Sequence, residues 1–140
     1  KWLTPRVLGY TGVWLLVTGL FLFFFLGRPM TEVLILRQPG TLAQKEANGD
    51  ILNFYTLQVV NKHETEVPVE LRIIEPADGK ITMLGDTSPI QGISERTERF
   101  FLSLPPSAIT GPDMTIKVGL YSNGKVLKEV KTRFLATGVN

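Results

Sequence analysis

The chain has 140 residues, of which 44% are hydrophobic and 20% charged, with 15 Lys and Arg against 13 Asp and Glu, one His and no Cys. The apolar fraction excludes a disordered chain, and the length suits one ordinary domain with a small appendage. The absence of Cys excludes disulfides, thiolate metal sites, iron–sulfur ligation and a cysteine nucleophile within this chain. A formal charge of +2 is too small to favour a surface that binds nucleic acid.

The first segment has the composition of a membrane span. No residue between Val7 and Gly27 is charged, and a helix of this length, rising ~1.5 Å per residue, reaches roughly 30 Å, the thickness of a bilayer's hydrocarbon core. Pro5 is favourable where a helix begins, because its missing N–H would be unsatisfied there anyway, and Pro29 is a stop signal. We therefore predict one transmembrane helix in residues 1–30, with the span at about 7–27.

Two other interpretations of this segment compete with the span. A helix buried in a soluble protein would need cover on all sides, which a domain this small does not provide. A signal peptide would have a shorter apolar region, of roughly 7–15 residues, and a small-residue cleavage site that Gly27-Arg28-Pro29 does not resemble. Lys and Arg are nearly balanced on the two sides of the span, so the sequence alone leaves its orientation open.

Small residues mark one face of this helix. Gly12 and Gly19 are seven residues apart and therefore share a face. Small residues let helix backbones approach closely inside a bilayer, so this face is a candidate contact with other transmembrane helices. Glycine is also simply common in membrane helices, which is the alternative. The chain starts with Lys1 rather than Met, which indicates a fragment of a longer protein.

After Pro29 the pattern becomes that of short strands separated by turns. Alternating and β-rich runs end at breakers such as Asp78-Gly79 and Asn123-Gly124, of which the second is a strong hairpin signal. No later stretch has convincing helical periodicity. The pattern predicts an all-β, seven-stranded immunoglobulin-like sandwich over residues 31–140. Its strands are expected at 31–37, 51–60, 67–73, 80–84, 100–104, 116–121 and 126–134.

The sandwich lacks the Cys…Trp…Cys hallmark of antibody domains, so its core must hold by packing alone. The core residues we expect are Leu57, Val59, Val69, Leu71, Phe100, Leu102, Ile116 and Val118. On the return strand we place Val126, Val130 and Phe134 on one face, with Lys128 and Thr132 between them. From residue 29 onward the chain carries 12 Lys and Arg against 13 Asp and Glu. This balance disfavours a basic face for nucleic acid or lipid headgroups.

The chain has few side chains that suggest chemistry. His63 is the only His and has no second His or Cys to complete a metal site. Met30, Met83 and Met114 carry thioethers that suit Cu(I), but their spacing shows no cluster, so core or filler is the better interpretation. The charged run at 95–99 is interpreted as the solvated start of a strand. We predict no catalytic, cofactor-binding or metal-binding residue in this chain.

Two stretches resemble the FixG/CcoG (RdxA) family. Residues 4–10, Thr-Pro-Arg-Val-Leu-Gly-Tyr, precede the apolar run in a way that resembles the last transmembrane helix of these proteins. Residues 48–62 resemble the strand I-x-N-x-Y-T-L-x-hydrophobic-hydrophobic-N-K of the family's C-terminal Ig-like domain. The matching residues are Ile51, Asn53, Tyr55, Thr56, Leu57, Asn61 and Lys62. We interpret the two Asn and the Tyr as structural, because such side chains can bind turn backbone and a Tyr can pack its ring while its O–H bonds the backbone. The later strands match only in order and length.

This resemblance implies a function for a longer parent protein. Members of the family are polytopic inner-membrane proteins whose cytoplasmic ferredoxin-like part binds two 4Fe–4S clusters. They assist assembly of cbb-type cytochrome c oxidase through copper reduction. The present chain would be the membrane anchor and periplasmic Ig-like module, non-catalytic itself, with the clusters upstream of Lys1 and a possible periplasmic partner from the oxidase assembly pathway.

Two further hypotheses stay open beside this one. The chain could be a single-pass protein whose sandwich binds another extracytoplasmic protein, with residues 31–37 as a candidate edge strand that accepts a partner strand. Copper binding by the sandwich itself rests only on the single His and three Met, and we expect no tight Cu(I) binding.

Overall fold

The computed structural model describes residues 2–137, which form one helix followed by two antiparallel sheets packed face to face. The elements are α1 (Pro5–Leu26), β1 (Thr31–Arg37), β2 (Gln44–Lys45), β3 (Ile51–Asn61), β4 (Glu70–Glu75), β5 (Lys80–Met83), β6 (Ser94–Leu104), a 3₁₀ turn (Pro106–Ala108), β7 (Asp113–Ser122) and β8 (Lys125–Leu135). The first sheet has the order β1-β3-β6-β5, with β2 also paired to β3, and the second has the order β4-β7-β8. The predicted all-β architecture behind one helix is confirmed.

The helix α1 has a defined start and stop. The Thr4 side chain accepts a hydrogen bond from the Val7 N–H at 3.4 Å, and the Gly27 N–H donates to the Phe23 carbonyl at 3.1 Å. None of its residues is buried, so α1 is not a core helix of the part of the chain that the structure describes. The helix is long and apolar enough to cross a membrane, and a signal sequence near the N-terminus has the same properties.

The core lies between the two sheets. Six of the eight expected core residues are buried, and Val69 and Leu71 are partly buried against them. The other buried members of the cluster come from both sheets and from the loop that holds Ile90. They are Val33, Ile35, Tyr55, Ile90, Leu104, Leu120 and Phe134. Burial of this apolar surface, at roughly 25 cal/mol per Å², is the main stabilising contribution in a domain without disulfides.

Several strand predictions need correction. The strands predicted at 100–104 and 116–121 begin earlier, at Ser94 and Asp113. The structure has eight strands rather than seven, because β2 pairs two residues with β3, a length too short to produce a pattern. The strand predicted at 67–73 begins later, at Glu70, and Val67 makes only an isolated bridge with Ile90. Pro68 explains the delay, since it has no N–H to give to a ladder.

The return strand β8 also differs from the prediction. Lys128, Val130, Thr132 and Phe134 share one side of the strand, because they are an even number of residues apart. A β-bulge at residue 127 pairs Lys128 with Leu120 but Val126 with Tyr121, so Val126 lies on the opposite side. Only Phe134 is buried, whereas Val130 is partly buried and Val126 is 48% exposed. Residues 125–129 are exposed throughout, so the first half of β8 adds little to the core.

Strand direction gives the sandwich two distinct ends. Four residues join α1 to β1, and Thr31 pairs with Asn61, so β1 begins where β3 ends. Because paired strands are antiparallel, the 62–69 segment, the last part of the 84–93 loop and the β7–β8 hairpin lie at this same end. We call it the helix-proximal end. The opposite end carries the 38–50 and 105–112 connections.

Candidate functional site

A pocket of about 120 Å³ opens on one side of the sandwich. It lies between β4, an edge of the second sheet, and the loop that follows β5, an edge of the first sheet. Its floor is apolar and is formed by Leu57, Val59, Val69, Leu71, Met83, Ile90 and Leu120. A cavity of this size and lining has room for one aliphatic or aromatic side chain of a partner.

Charged side chains surround this apolar floor. They are Glu70, Asp86, Arg96 and Glu98. Arg96 is largely withdrawn from solvent, with its side chain 20% exposed, and its guanidinium donates to the carbonyls of Ser88 and Pro89 and lies 3.6 Å from the Asp86 carboxylate. The prediction that the 95–99 run is simply solvated is therefore wrong for part of the run. Residues 96 and 98 have the same parity as the buried Phe100, so alternation turns them toward the core.

The rim is anionic. The Ser88 N–H and hydroxyl both donate to Asp86 at 2.8 Å, and these bonds, with a smaller attraction from Arg96, hold the pKa of that carboxyl below its usual range. Glu70 receives two hydrogen bonds from the Arg72 guanidinium, which lower the pKa of its carboxyl. Two of the three carboxylates therefore already have a cationic neighbour.

Glu98 is the remaining carboxylate. Within residues 2–137 it makes no ion pair and no side-chain hydrogen bond. Its carboxylate lies directly over Gly85, where an added Cβ would come within 1.5 Å of Oε2. The absence of a side chain at Gly85 thus leaves space for this carboxylate beside the pocket. The arrangement can bind an apolar side chain next to a positive charge.

The polar residues of the β3 motif lie elsewhere and bind backbone. Asn53 donates to the Leu135 carbonyl at 2.8 Å and accepts from the Leu135 N–H at 3.1 Å. The Tyr55 hydroxyl donates to the Arg133 carbonyl at 2.7 Å, and its ring stacks on Phe100 with centroids 5.3 Å apart. Both side chains therefore tie β3 of the first sheet to β8 of the second sheet.

Asn61, at the end of the same motif, organises the helix-proximal end. Its amide nitrogen donates to the carbonyls of Thr65, Ile90 and Gln91 at 3.0, 3.2 and 3.0 Å, and its Oδ1 accepts the His63 N–H at 3.0 Å. The side chain is 1% exposed. One buried amide thus joins two loops that are far apart in sequence.

The other residues considered for chemistry are not brought together. His63 is exposed, Met30 is 54% exposed, and Met83 and Met114 are partly buried against the core on different sheets. Within the described part of the chain there is no group of three or more His, Cys, Asp or Glu residues that could hold a metal ion.

Two antiparallel sheets behind an apolar helix, with a side pocket and backbone-binding polar residues, define an immunoglobulin-like module. Residues 21–137 match the family described as "IG-like fold at C-terminal of FixG, putative oxidoreductase". The chain therefore belongs to the FixG C-terminal family, and the predicted resemblance to this family is confirmed.

One solved structure with a FixG-related description shares the fold. A FixG-related protein from Vibrio parahaemolyticus is 20% identical, with a TM-score of 0.60, covering 77% of this chain and 97% of that one. A yeast GGA1 GAE domain is 10% identical with a TM-score of 0.41, covering 77% of this chain and 92% of that one. The comparison with curated proteins found no match.

Proposed function

We propose that this chain is the membrane anchor and periplasmic Ig-like module of a FixG-type iron–sulfur membrane protein that assists assembly of cbb-type cytochrome c oxidase through copper reduction. The match of residues 21–137 to the FixG C-terminal family carries the proposal. The unburied apolar helix and its short connection to β1 support a span that holds the sandwich at the inner membrane. In this proposal the 4Fe–4S clusters and the reduction of copper belong to the part of the parent upstream of Lys1.

Deletion of the sandwich tests its part in assembly. In a bacterium that makes this protein, removal of residues 31–140 from the gene should lower cbb-type oxidase activity in isolated membranes. The control is Gly111→Ala in the full-length gene, since a Cβ at Gly111 meets nothing within 4 Å. Normal oxidase activity in the deletion strain would contradict the proposal.

Fusions test the periplasmic orientation. Alkaline phosphatase joined after Thr137 should be active, and green fluorescent protein joined at the same point and exported through the same route should be dark. The opposite result would place the sandwich in the cytoplasm.

We also propose that the Gly12 and Gly19 face of α1 packs on other helices of the parent. A Cβ at either position meets nothing within 4 Å in this chain. Gly12→Leu with Gly19→Leu should therefore disturb only contacts between α1 and other helices of the parent. The detergent-extracted parent protein should then elute earlier in size-exclusion chromatography. Val17→Phe, on the opposite side of the helix, should not. Equal behaviour of the two variants would contradict the contact.

A second candidate function is binding of another periplasmic protein, and the pocket beside Glu98 favours it. β1 is an edge strand as expected, but β8 runs alongside it, with Lys128 beside Glu32. The open edges are therefore β4 and β5, which flank the pocket. The matching partner segment would offer an apolar side chain next to Lys or Arg.

A photo-crosslinker tests this binding in living cells. At Thr87, which lines the pocket, it should give an adduct that Glu98→Lys abolishes. At Thr110, an exposed position at the opposite end, it should give none. An adduct at Thr87 that survives the charge reversal would contradict the role of the anionic rim.

A further inference from the structure

Ile93 has an unusual conformation at the helix-proximal end. Its φ is +48°, in the left-handed region that β-branched residues rarely adopt, and its side chain is 74% exposed. A strained backbone and an apolar side chain in water are each unfavourable for an isolated domain. Their combination at one residue indicates that this side chain meets something other than water.

The surrounding loops hold Ile93 in this position. Its N–H donates to the His63 carbonyl at 2.8 Å. The preceding Gly92 lies so close to the 62–69 segment that a Cβ would come within 2.1 Å of the Glu64 carbonyl oxygen. The buried Asn61 amide binds both loops at once. The protrusion of Ile93 is therefore a built feature of the fold rather than the state of a free loop.

The same end receives the apolar helix. The Lys62 N–H donates to the Met30 carbonyl at 2.9 Å, which fixes the connector against the loop that contacts Ile93. Fully extended, the connection from Leu26 to Thr31 spans at most about 18 Å, against roughly 5–8 Å for one headgroup layer. If α1 crosses the membrane, the nearest surface to this end of the sandwich is lipid.

Charge at this end is balanced. The basic residues Arg28, Lys62, Lys125 and Lys128 face an equal number of acidic ones at Glu32, Glu64, Glu66 and Glu95, and Lys62 is paired with Glu32. The exposed apolar side chains there include Ile93, Met30 and Val126, which are 74%, 54% and 48% exposed. This composition suits a contact made by apolar insertion rather than by attraction to anionic lipid.

We propose that the helix-proximal end of the sandwich rests on the bilayer surface with the Ile93 side chain inserted at the headgroup–acyl boundary. The inference rests on the proposed membrane span of α1. The bilayer removes the Ile93 side chain from water, and the rigid loops orient it before contact. The sandwich is then seated on the membrane rather than tethered loosely above it.

Single-cysteine labelling tests this contact, because the chain has no Cys of its own. Ile93→Cys carries an environment-sensitive fluorophore in the full chain, reconstituted in phosphatidylcholine vesicles with a nitroxide on the lipid acyl chain. Leu42→Cys is the matched control, an equally exposed aliphatic at 71% on the opposite end of the sandwich. Leu16→Cys, 65% exposed within α1, reports whether the helix is in the bilayer.

We expect quenching at position 93 to be at least three-fold stronger than at position 42, and unchanged when a third of the lipid is anionic. Strong quenching at 16 with equal, weak quenching at 93 and 42 would overturn the inference and leave the anchor intact. Absence of quenching at 16 would overturn the anchor, and the inference with it. Quenching at 93 only with anionic lipid would also overturn it, since insertion would not be the cause.

Discussion

Polar side chains buried in β3 bind backbone groups that lie outside the first sheet. Asn53 and Tyr55 cross from the first sheet to the carbonyls of Leu135 and Arg133, and Asn61 binds three loop carbonyls. A buried carbonyl without a donor costs about 1–3 kcal/mol. These residues therefore contribute to the stability and the uniqueness of the fold.

Tyr55→Phe removes the hydroxyl that binds Arg133 and keeps the ring on Phe100. We expect the free energy of unfolding of a soluble fragment, residues 29–140, to fall by about 1–2 kcal/mol, measured by urea denaturation. Tyr121→Phe is the control, because the Tyr121 hydroxyl has no hydrogen-bond partner among residues 2–137. Equal effects of the two substitutions would contradict the role of the Tyr55 hydroxyl.

Comparison of the natural protein with Tyr55→Phe also predicts a pH effect. Burial raises the pKa of the Tyr55 phenol well above its ordinary value. The neutral Tyr55 phenol stabilises the fold fully at pH values below the pKa of about 10 that a tyrosine has in the unfolded chain. This stabilisation is lost as the pH rises above that value. The difference in unfolding free energy between the natural protein and Tyr55→Phe should therefore shrink between pH 9 and pH 11. A constant difference across this interval would show that Tyr55 is not protected from ionisation by burial.

Asn61→Asp keeps the volume of the side chain but replaces its N–H donors by an oxygen that faces three carbonyls. We expect a loss of about 2–4 kcal/mol in unfolding free energy, measured by urea denaturation of the same fragment. Asn123→Asp is the matched control, since Asn123 is exposed and its φ of +51° suits Asp as well. A stable Asn61→Asp variant would mean that the loops are held by other contacts.

At the scale of elements, the strands close one side of the sandwich and leave the other open. β8 runs beside β1 on the closed side, whereas β4 and β5 are short edge strands separated by the pocket. Short edges limit pairing with other chains, and the charged rim adds to this protection. The open side therefore offers room for a side chain rather than a template for an added strand.

Substitution of Gly92 tests how tightly the 62–69 segment and the 84–93 loop pack against each other. Gly92→Ala places a Cβ within 2.1 Å of the Glu64 carbonyl oxygen, and backbone on both sides must move. We expect a loss of about 1–3 kcal/mol in unfolding free energy by thermal denaturation. Gly111→Ala has nothing within 4 Å of its Cβ and should be neutral or slightly stabilising. The two loops would not be in firm contact if both variants behaved alike.

At the scale of the whole molecule, the helix and the sandwich are stabilised by separate sets of contacts. The core of the sandwich contains no residue of α1. Residues 29–140 should therefore form a soluble, monomeric domain with a β-type circular dichroism spectrum and one cooperative unfolding transition. Residue 30 is kept because its carbonyl accepts the Lys62 N–H. A helical spectrum or aggregation of the fragment would show that the sandwich depends on the helix.

The sequence by itself determined the apolar helix, most of the strands and six of the eight expected buried residues, because these follow from local periodicity. The sequence also indicated that Asn53, Tyr55 and Asn61 are structural residues. It did not indicate which backbone groups they bind. The Asn53–Leu135 and Tyr55–Arg133 pairs are 82 and 78 residues apart, so only the packing of the two sheets creates them. The pocket rim and the strained, exposed Ile93 likewise arise from loops that meet in space, which no local pattern records.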